Sequence, residues 1–291
     1  MIRRWLLLLC LLTPGPLAWA SDPTPTTLLT FNIRFGTAND GPNRWEARRQ
    51  MVIDVLERHD ADVVGLQEAL GFQIAEIRGV LPGYGLVGVG RDDGRVTGEW
   101  SPILYRLDRF AVAEAGTFWL SGTPERTASA TWGNSITRIC TWARLVEHGT
   151  GRGVYVFNTH FDHVSQPSRE ESARLIAERI AGRRVDDPVV LMGDFNAGET
   201  NPAVVFLTAD PDGPGLVDTF RVLHPNETEV GTFNGFRDRR DGEKIDFVLV
   251  EPRTRVLGAS IDRTRAEGRS PSDHEPVAAT VDLWPAGPTE D

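Results

Sequence analysis

Cysteine is scarce: the 291-residue chain has two, Cys10 and Cys140. Cys10 lies in an N-terminal segment that reads as a removable leader, so one thiol remains and an intrachain disulfide is excluded. Stability must then come from a packed core. Cys140 stands in an apolar stretch and reads as a buried hydrophobe rather than a reactive thiol. An excess of positive charge is also lacking. Thirty-one basic residues face 41 acidic ones, a formal −10, which argues against a protein whose main work is gripping nucleic acid with a basic surface. Internal repeats, low-complexity tracts and long basic amphipathic helices are missing as well, so a solenoid and a membrane-docking helix are both disfavoured. No cysteine cluster and no His-Glu-x-x-His pattern occurs, which argues against structural zinc and a zinc protease.

What is present describes a folded protein. Apolar residues make up 40% and charged residues 25% of the chain, too apolar a balance for disorder. Arg3 and Arg4 precede an apolar run over residues 5–12, and Ala18-Trp19-Ala20 precedes Ser21. This reads as a secretory signal peptide over residues 1–20, cut near Ala20-Ser21; the run is too short to span a bilayer and Pro14-Gly15-Pro16 interrupts it. A secreted or periplasmic protein without a stable membrane anchor is expected. The remaining chain, residues 21–291, carries −12. It has linker-like composition only at its ends, residues 22–27 and 285–291, so one domain is expected, with a monomer as the default.

Short, β-branched apolar runs at residues 28–33, 63–66, 87–89, 103–105, 154–157, 189–192, 247–250 and 277–281 predict strands. Helices are predicted after Asn43, with Glu46 three residues on, after Ser168, with Glu171, and after Thr200 or Asn201, where Pro202 fits a first helical position. These helices are too few to separate every pair of strands, so mixed sheets with hairpins are expected.

The strand ends carry the chemistry. The first strand runs into Asn32, the second into Gln67-Glu68, the fifth into Asn158-Thr159-His160 and the sixth into Gly193-Asp194-Phe195-Asn196. Asp246 and Asp273-His274 stand before the last two. An antiparallel strand begins where its neighbour ends, so all six clusters are expected on one rim of a mixed sheet. Taken singly, each is an ordinary turn former. Together, clustered carboxylates on a core-flanked rim repel one another and cost several kcal/mol to desolvate unless paired, protonated or metal-bound. Hard oxygen donors favour magnesium, with manganese as a substitute.

The motifs Thr30-Phe31-Asn32-Ile33-Arg34, Leu66-Gln67-Glu68-Ala69, Asn158-Thr159-His160, Gly193-Asp194-Phe195-Asn196, Lys244-Ile245-Asp246-Phe247 and Ser272-Asp273-His274-Glu275-Pro276 follow one another as in the endonuclease/exonuclease/phosphatase (deoxyribonuclease I-like) superfamily, which the chain resembles from about residue 28 to 281. Residues 90–99 and 116–121 are similar to a bacterial branch of metal-dependent hydrolases. The resemblance implies a four-layer α/β sandwich, two mixed sheets packed face to face with helices on both outer faces. It implies a metal-dependent phosphoesterase, acting by in-line attack of an activated water on a phosphodiester or phosphomonoester, nucleic acid being one such substrate class. A secreted nuclease is one form of that activity; a binding protein that has lost catalysis on the same fold is the alternative of another class.

The resemblance also implies roles. Glu68 would be the principal metal ligand, with Asn32 near the same ion and Asp273 a further ligand. Asp194 would position or deprotonate water, Asn196 would donate to a phosphoryl oxygen, and His160 would contact phosphate or leaving group. His274 would be oriented by Asp246. Glu99 resembles a glutamate that orients His160. Arg138 would bind phosphate or serve as an ion-pair partner at a strand edge, and Asp162 and His163 would line the pocket or a solvated loop. Trp100, Trp119, Trp132 and Trp142 read as core first and as a stacking surface second. Arg237, Arg239 and Arg240 read as a solvated loop.

Overall fold

The computed structural model describes residues 24–285, so the leader expected over residues 1–20 and its cleavage site lie outside the described residues. In chain order the first half comprises β1 (Thr26–Asn32), α1 (Trp45–His59), β2 (Val63–Gln67), α2 (Gly71–Val80), β3 (Tyr84–Val87), β4 (Ile103–Arg106), β5 (Phe110–Trp119) and β6 (Ile139–Glu147). The second half comprises β7 (Gly153–His160), α3 (Gln166–Ala181), β8 (Val189–Asp194), α4 (Pro202–Thr208), β9 (Val217–Asp218), α5 (Thr219–Leu223), β10 (Asp246–Val250), β11 (Arg255–Ile261) and β12 (Val277–Asp282). One six-stranded sheet has the order β11-β12-β1-β2-β4-β3 and the other β5-β6-β7-β8-β10-β9. Each is antiparallel except at its centre, where β1 pairs in parallel with β2 and β7 with β8.

Two-residue periodicity sorts the side chains into layers. Leu28, Val63, Val154, Val156, Val190, Met192, Val248, Val277 and Val281 fill the space between the sheets. Their neighbours point the other way: Leu29, Phe31, Val64 and Leu66 meet Val52, Ile53, Leu56, Ile74 and Ile77 of α1 and α2. Phe157, Leu191, Phe247 and Leu249 meet Ile176, Ile180, Val204 and Leu207 of α3 and α4. The result is the expected four-layer α/β sandwich.

The inward-facing series changes character toward one end of the strands. In β1 it runs Leu28, Thr30, Asn32; in β8, Val190, Met192, Asp194; in β7, Val156, Asn158, His160. The layer beneath the final residues is a buried amide network. Gln67 Nε2 donates to Asn158 Oδ1 at 2.7 Å and Thr30 Oγ1 at 3.0 Å, while Asn158 Nδ2 donates to the carbonyls of Leu66 and Pro102, both at 2.8 Å. Asn158 thus ties the sheets together instead of entering the site. Two glycines make room here. A Cβ on Gly65 would lie 2.6 Å from Met192 Sδ, and one on Gly193, whose φ is +151°, would lie 2.1 Å from the carbonyl oxygen of Thr159 in β7. Gly65 lets the two sheets approach face to face, and Gly193 lets β8 lie close beside β7.

Several sequence-based expectations need correction. The six polar clusters do not share the rim of one sheet: Asn32, Glu68 and Asp273-His274 belong to the first sheet, His160, Asp194 and Asp246 to the second. Helix α1 starts at Trp45 with no side-chain cap, since Asn43 ends a 3-10 turn, and α3 is capped by Ser165, whose hydroxyl accepts from the Ser168 amide. Asn201 does cap α4, accepting from the Ala203 amide. The run at 87–89 is only the end of β3, and β5, β6 and β11 had no apolar run to announce them. All four tryptophans pack against the protein body rather than lining the cavity described below, and Cys140 is fully buried, its thiol pushed up by burial. Arg239 pairs with Asp241 and Arg240 with Glu229 on the surface. No helix among the described residues is long and apolar enough to cross a membrane.

Asn158→Ala strips partners from two buried carbonyls and from the Gln67 amide. A stability loss of about 3 kcal/mol is expected, each unsatisfied group costing about 1–3 kcal/mol, with denaturant midpoint as the measure; an unchanged midpoint would contradict the inter-sheet role.

Candidate active site

Above the amide network the two sheets open into a cavity of about 440 Å³, lined by Arg34, Glu68, Arg91, Glu99, Arg138, His160, His163, Asp194, Asn196, Asp273 and His274, with Phe35, Ile136, Phe233 and Ile245 as apolar edges. Nine of the expected site residues face it directly, and Asn32 and Asp246 stand behind them, fully buried. Three non-glycine residues at its mouth adopt left-handed backbone conformations: Arg34 (φ +57°), Glu68 (+58°) and Asn196 (+46°). Each costs about 1–2 kcal/mol. At Glu68 this turn breaks strand alternation right after inward-facing Gln67 and brings the carboxylate to the cavity.

Asn32 bridges the halves of the site. Its Nδ2 donates to Glu68 Oε1 at 3.1 Å and to Asp194 Oδ2 at 2.9 Å, and its Oδ1 accepts from the Arg34 amide at 3.0 Å. Asn32 thus orients both carboxylates through its amide nitrogen, while its Oδ1, which accepts one hydrogen bond, keeps a second lone pair. Its carbonyl accepts from Ser272 Oγ at 2.7 Å, and buried Arg48 of α1 donates to the carbonyls of Ile33, Arg34 and Pro271. Arg48 thereby laces β1 to the loop that carries Asp273. Burial pulls its guanidinium down to about 10.

Asp194 Oδ2 lies 3.4 Å from His160 Nε2 and 3.7 Å from His274 Nε2. Burial and the nearby Asp246 charge raise the Asp194 carboxyl, against the pull of His274 and the Asn32 hydrogen bond. His274 Nδ1 meets Asp246 Oδ2 at 2.9 Å. Burial opposes its charging, but Asp246, Asp194 and Asp273 outweigh burial and hold the ring above its ordinary value, as an imidazolium. His160 goes the other way: burial, then Arg138 and Arg91, keep it neutral. Its Nε2 accepts from Asn196 Nδ2 at 2.9 Å, whose second proton goes to the Phe161 carbonyl.

Two donor sets could attract a cation. Asp194, Asp246 and His274 each offer an atom within 4.8 Å of the others, but Asp246 Oδ2 and His274 Nδ1 are already paired with each other. Glu68 and Asp273 fit better. They are hard oxygen donors, and burial together with repulsion from Glu68 raises Asp273 against the pull of His274, Arg34 and Arg48. Arg34 spans them as a built-in counterion, its Nε 3.7 Å from Asp273 Oδ2 and its guanidinium 3.8 Å from Glu68 Oε2. The Glu68–Asp273 pair therefore suits a divalent cation that prefers oxygen donors.

Glu99 lines the cavity but does not hold His160. Arg91 takes its carboxylate with both terminal nitrogens, at 2.7 and 2.8 Å, the fork geometry that a guanidinium offers a carboxylate. Arg138 is buried, 3.7 Å from Asp162 Oδ2 and 3.1 Å from His163 Nδ1. Asp162 itself accepts from the amides of Val164 and Ser165, outside the cavity. Sequence reasoning gave no role to Arg34, Arg48 or Arg91. Arg34 follows Asn32 at alternate spacing and Arg91 faces Glu99 across a glycine-bounded loop, signals that were available; nothing in the sequence marks Arg48.

Residues 29–274 match the Endonuclease/Exonuclease/phosphatase family. The chain belongs to that family. An endonuclease/exonuclease/phosphatase from Bacteroides vulgatus is 35% identical, with a TM-score of 0.82 over 90% of this chain and 100% of that one. A family structure described as a mannosyl-6-phosphatase, from Bacteroides thetaiotaomicron, is 33% identical, with a TM-score of 0.78 over 88% of this chain and 99% of that one. Drosophila melanogaster Nocturnin is 26% identical over 90% of this chain and 47% of its own length, so the chain spans about half of that relative.

Two outcomes are expected. Asp246→Asn removes the charge that keeps His274 protonated, so the alkaline limb of the kcat–pH profile moves to lower pH and kcat falls by about 10²–10⁴. An unmoved limb would separate Asp246 from His274. Saturating Mg²⁺ is expected to raise the melting temperature, by about 2.7 kcal/mol of stability at a hundredfold excess over Kd, and Glu68→Ala to abolish that rise; calorimetry measures both.

Proposed function

We propose that this protein is a Mg²⁺- or Mn²⁺-dependent phosphoric ester hydrolase that acts on small phosphomonoesters by in-line attack of water. The carrying observation is the linked set Glu68–Asn32–Asp194 beside His274–Asp246, gathered around one cavity from both sheets. Glu68 and Asp273 would hold the ion, which when bound supplies positive charge against the phosphoryl oxygens. Asp194, with its carboxyl raised toward neutrality, orients a water and accepts its proton. His274, kept cationic by Asp246, offers its Nε2 proton to a phosphoryl oxygen whose charge grows in the transition state. Asn196 is aimed into the cavity, and a phosphoryl oxygen would replace His160 Nε2 as the acceptor of one of its protons. The water oxygen becomes bonded to phosphorus as the bond from phosphorus to the alcohol oxygen breaks; the leaving oxygen takes a proton from solvent, and Asp194 returns the proton it accepted to solvent. The completeness of this set weighs against an inactive binding protein.

A cavity of about 440 Å³ has the size for a small ester, and the likeness to the Bacteroides thetaiotaomicron mannosyl-6-phosphatase supports a monoester. Nuclease action is the competing form of the same chemistry. Export, on the strength of the leader, and a monomeric state are part of the proposal, checked by fractionation and sedimentation.

Hydrolysis of p-nitrophenyl phosphate with Mg²⁺ is expected, faster than that of bis-p-nitrophenyl phosphate, lost with EDTA and lowered at least about 10³-fold in His274→Ala. Activity that survives EDTA removes the metal assignment, and preference for the diester or for DNA favours the nuclease form.

A further inference from the structure

One wall of the cavity takes no part in the hydrolytic chemistry above. It consists of Arg91, Glu99, Arg138 and His163, and every charge on it has been met before a substrate arrives. Arg91 is forked onto Glu99. Arg138, 4% exposed, has Asp162 beside it, and its Nε carries no hydrogen bond. That Nε is buried and faces Asp162, so what Arg138 brings to the cavity is its positive charge, already balanced, beside His163.

Such a wall discriminates by charge. A second phosphate placed against it would have to part Arg91 from Glu99 and then sit beside the released carboxylate. A neutral hydroxyl suffers neither cost, because it donates to Glu99 and accepts from a guanidinium at once. Alternating donors and acceptors on a charge-balanced wall suit adjacent hydroxyls, and Ile136 on the same cavity offers an apolar surface for C–H groups. We infer that Arg91, Glu99, Arg138 and His163 form the leaving-alcohol subsite, and that it takes a neutral polyhydroxylated alcohol, so that the substrate is a sugar-type phosphomonoester with a single phosphate. This rests on the phosphoesterase reading and deepens it by naming the alcohol.

The test compares kcat/KM for a hexose 6-phosphate, a hexose 1,6-bisphosphate, adenosine 5′-monophosphate, short single-stranded DNA and p-nitrophenyl phosphate, at fixed salt with Mg²⁺. The hexose monophosphate is expected to lead, and free hexose to compete with aryl phosphate hydrolysis. In Glu99→Gln and Arg138→Lys the ratio of hexose phosphate to aryl phosphate kcat/KM is expected to fall by about tenfold or more, the loss of one charged hydrogen bond. A ratio unchanged in both variants overturns the subsite, as does a wild-type preference for the bisphosphate, the nucleotide or DNA, while the phosphoesterase reading stands. Hydrolysis of none of the five esters overturns that reading and the subsite with it. Should one variant fail to fold, the other variant and competition by free hexose on the wild type still decide.

Discussion

Repulsion among buried carboxylates is the constraint on which this molecule is arranged. Asp194, Asp246, Asp273 and Glu68 converge where the sandwich ends, three of them almost completely buried. Left alone, such a group would push its members toward the protonated form or push the sheets apart. The chain answers with an amide, an imidazolium and a guanidinium, each serving two acids: Asn32 joins Glu68 to Asp194, His274 stands between Asp246 and Asp194, and Arg34 spans Glu68 and Asp273.

The scaffold and the chemistry are parts of one pattern. Inward-facing positions are aliphatic for most of each central strand, amide-bearing for one step, and ionisable at the end. The amide step shields the site from the dry core below and spares the core a direct contact with charge. The outward face stays apolar to the strand ends, where Phe31, Leu66 and Phe247 meet the helical layers. Specialisation therefore needs only the last residue or two of each strand to change, while the hydrophobic framework stays the same.

This division explains what could be read in advance. The central strands are dense β-branched runs and their polar ends stand out against them, so the carboxylates, amides and imidazoles that meet at the cavity were legible residue by residue. Edge strands were not. β5 runs Phe-Ala-Val-Ala-Glu-Ala-Gly-Thr, with Ala111, Val112, Ala113 and Ala115 exposed, and β6 is interrupted by Arg144 between buried neighbours, so neither forms an apolar run. The helix starts slipped because a polar residue next to the true cap satisfies the same pattern: Ser168 supplies the amide that Ser165 accepts from. Assigning the polar clusters to one rim failed for a topological reason, since local patterning shows which end of a strand is polar and not which sheet the strand joins. Arg48 was invisible because its partners are backbone carbonyls, which carry no residue signature.

A site shared between two stacked sheets has its spacing set by how those sheets slide over one another. Asn32 is the hydrogen-bonded clasp across that seam at the reacting level, and Gly65 against Met192 is a close-fitting tooth beneath it. Bulk added at such a tooth would act as a wedge, changing the gap between ion-holding and proton-accepting groups without touching either. Activity in this architecture is thus a gauge of interlayer shear, adjustable by aliphatic substitutions deep in the seam.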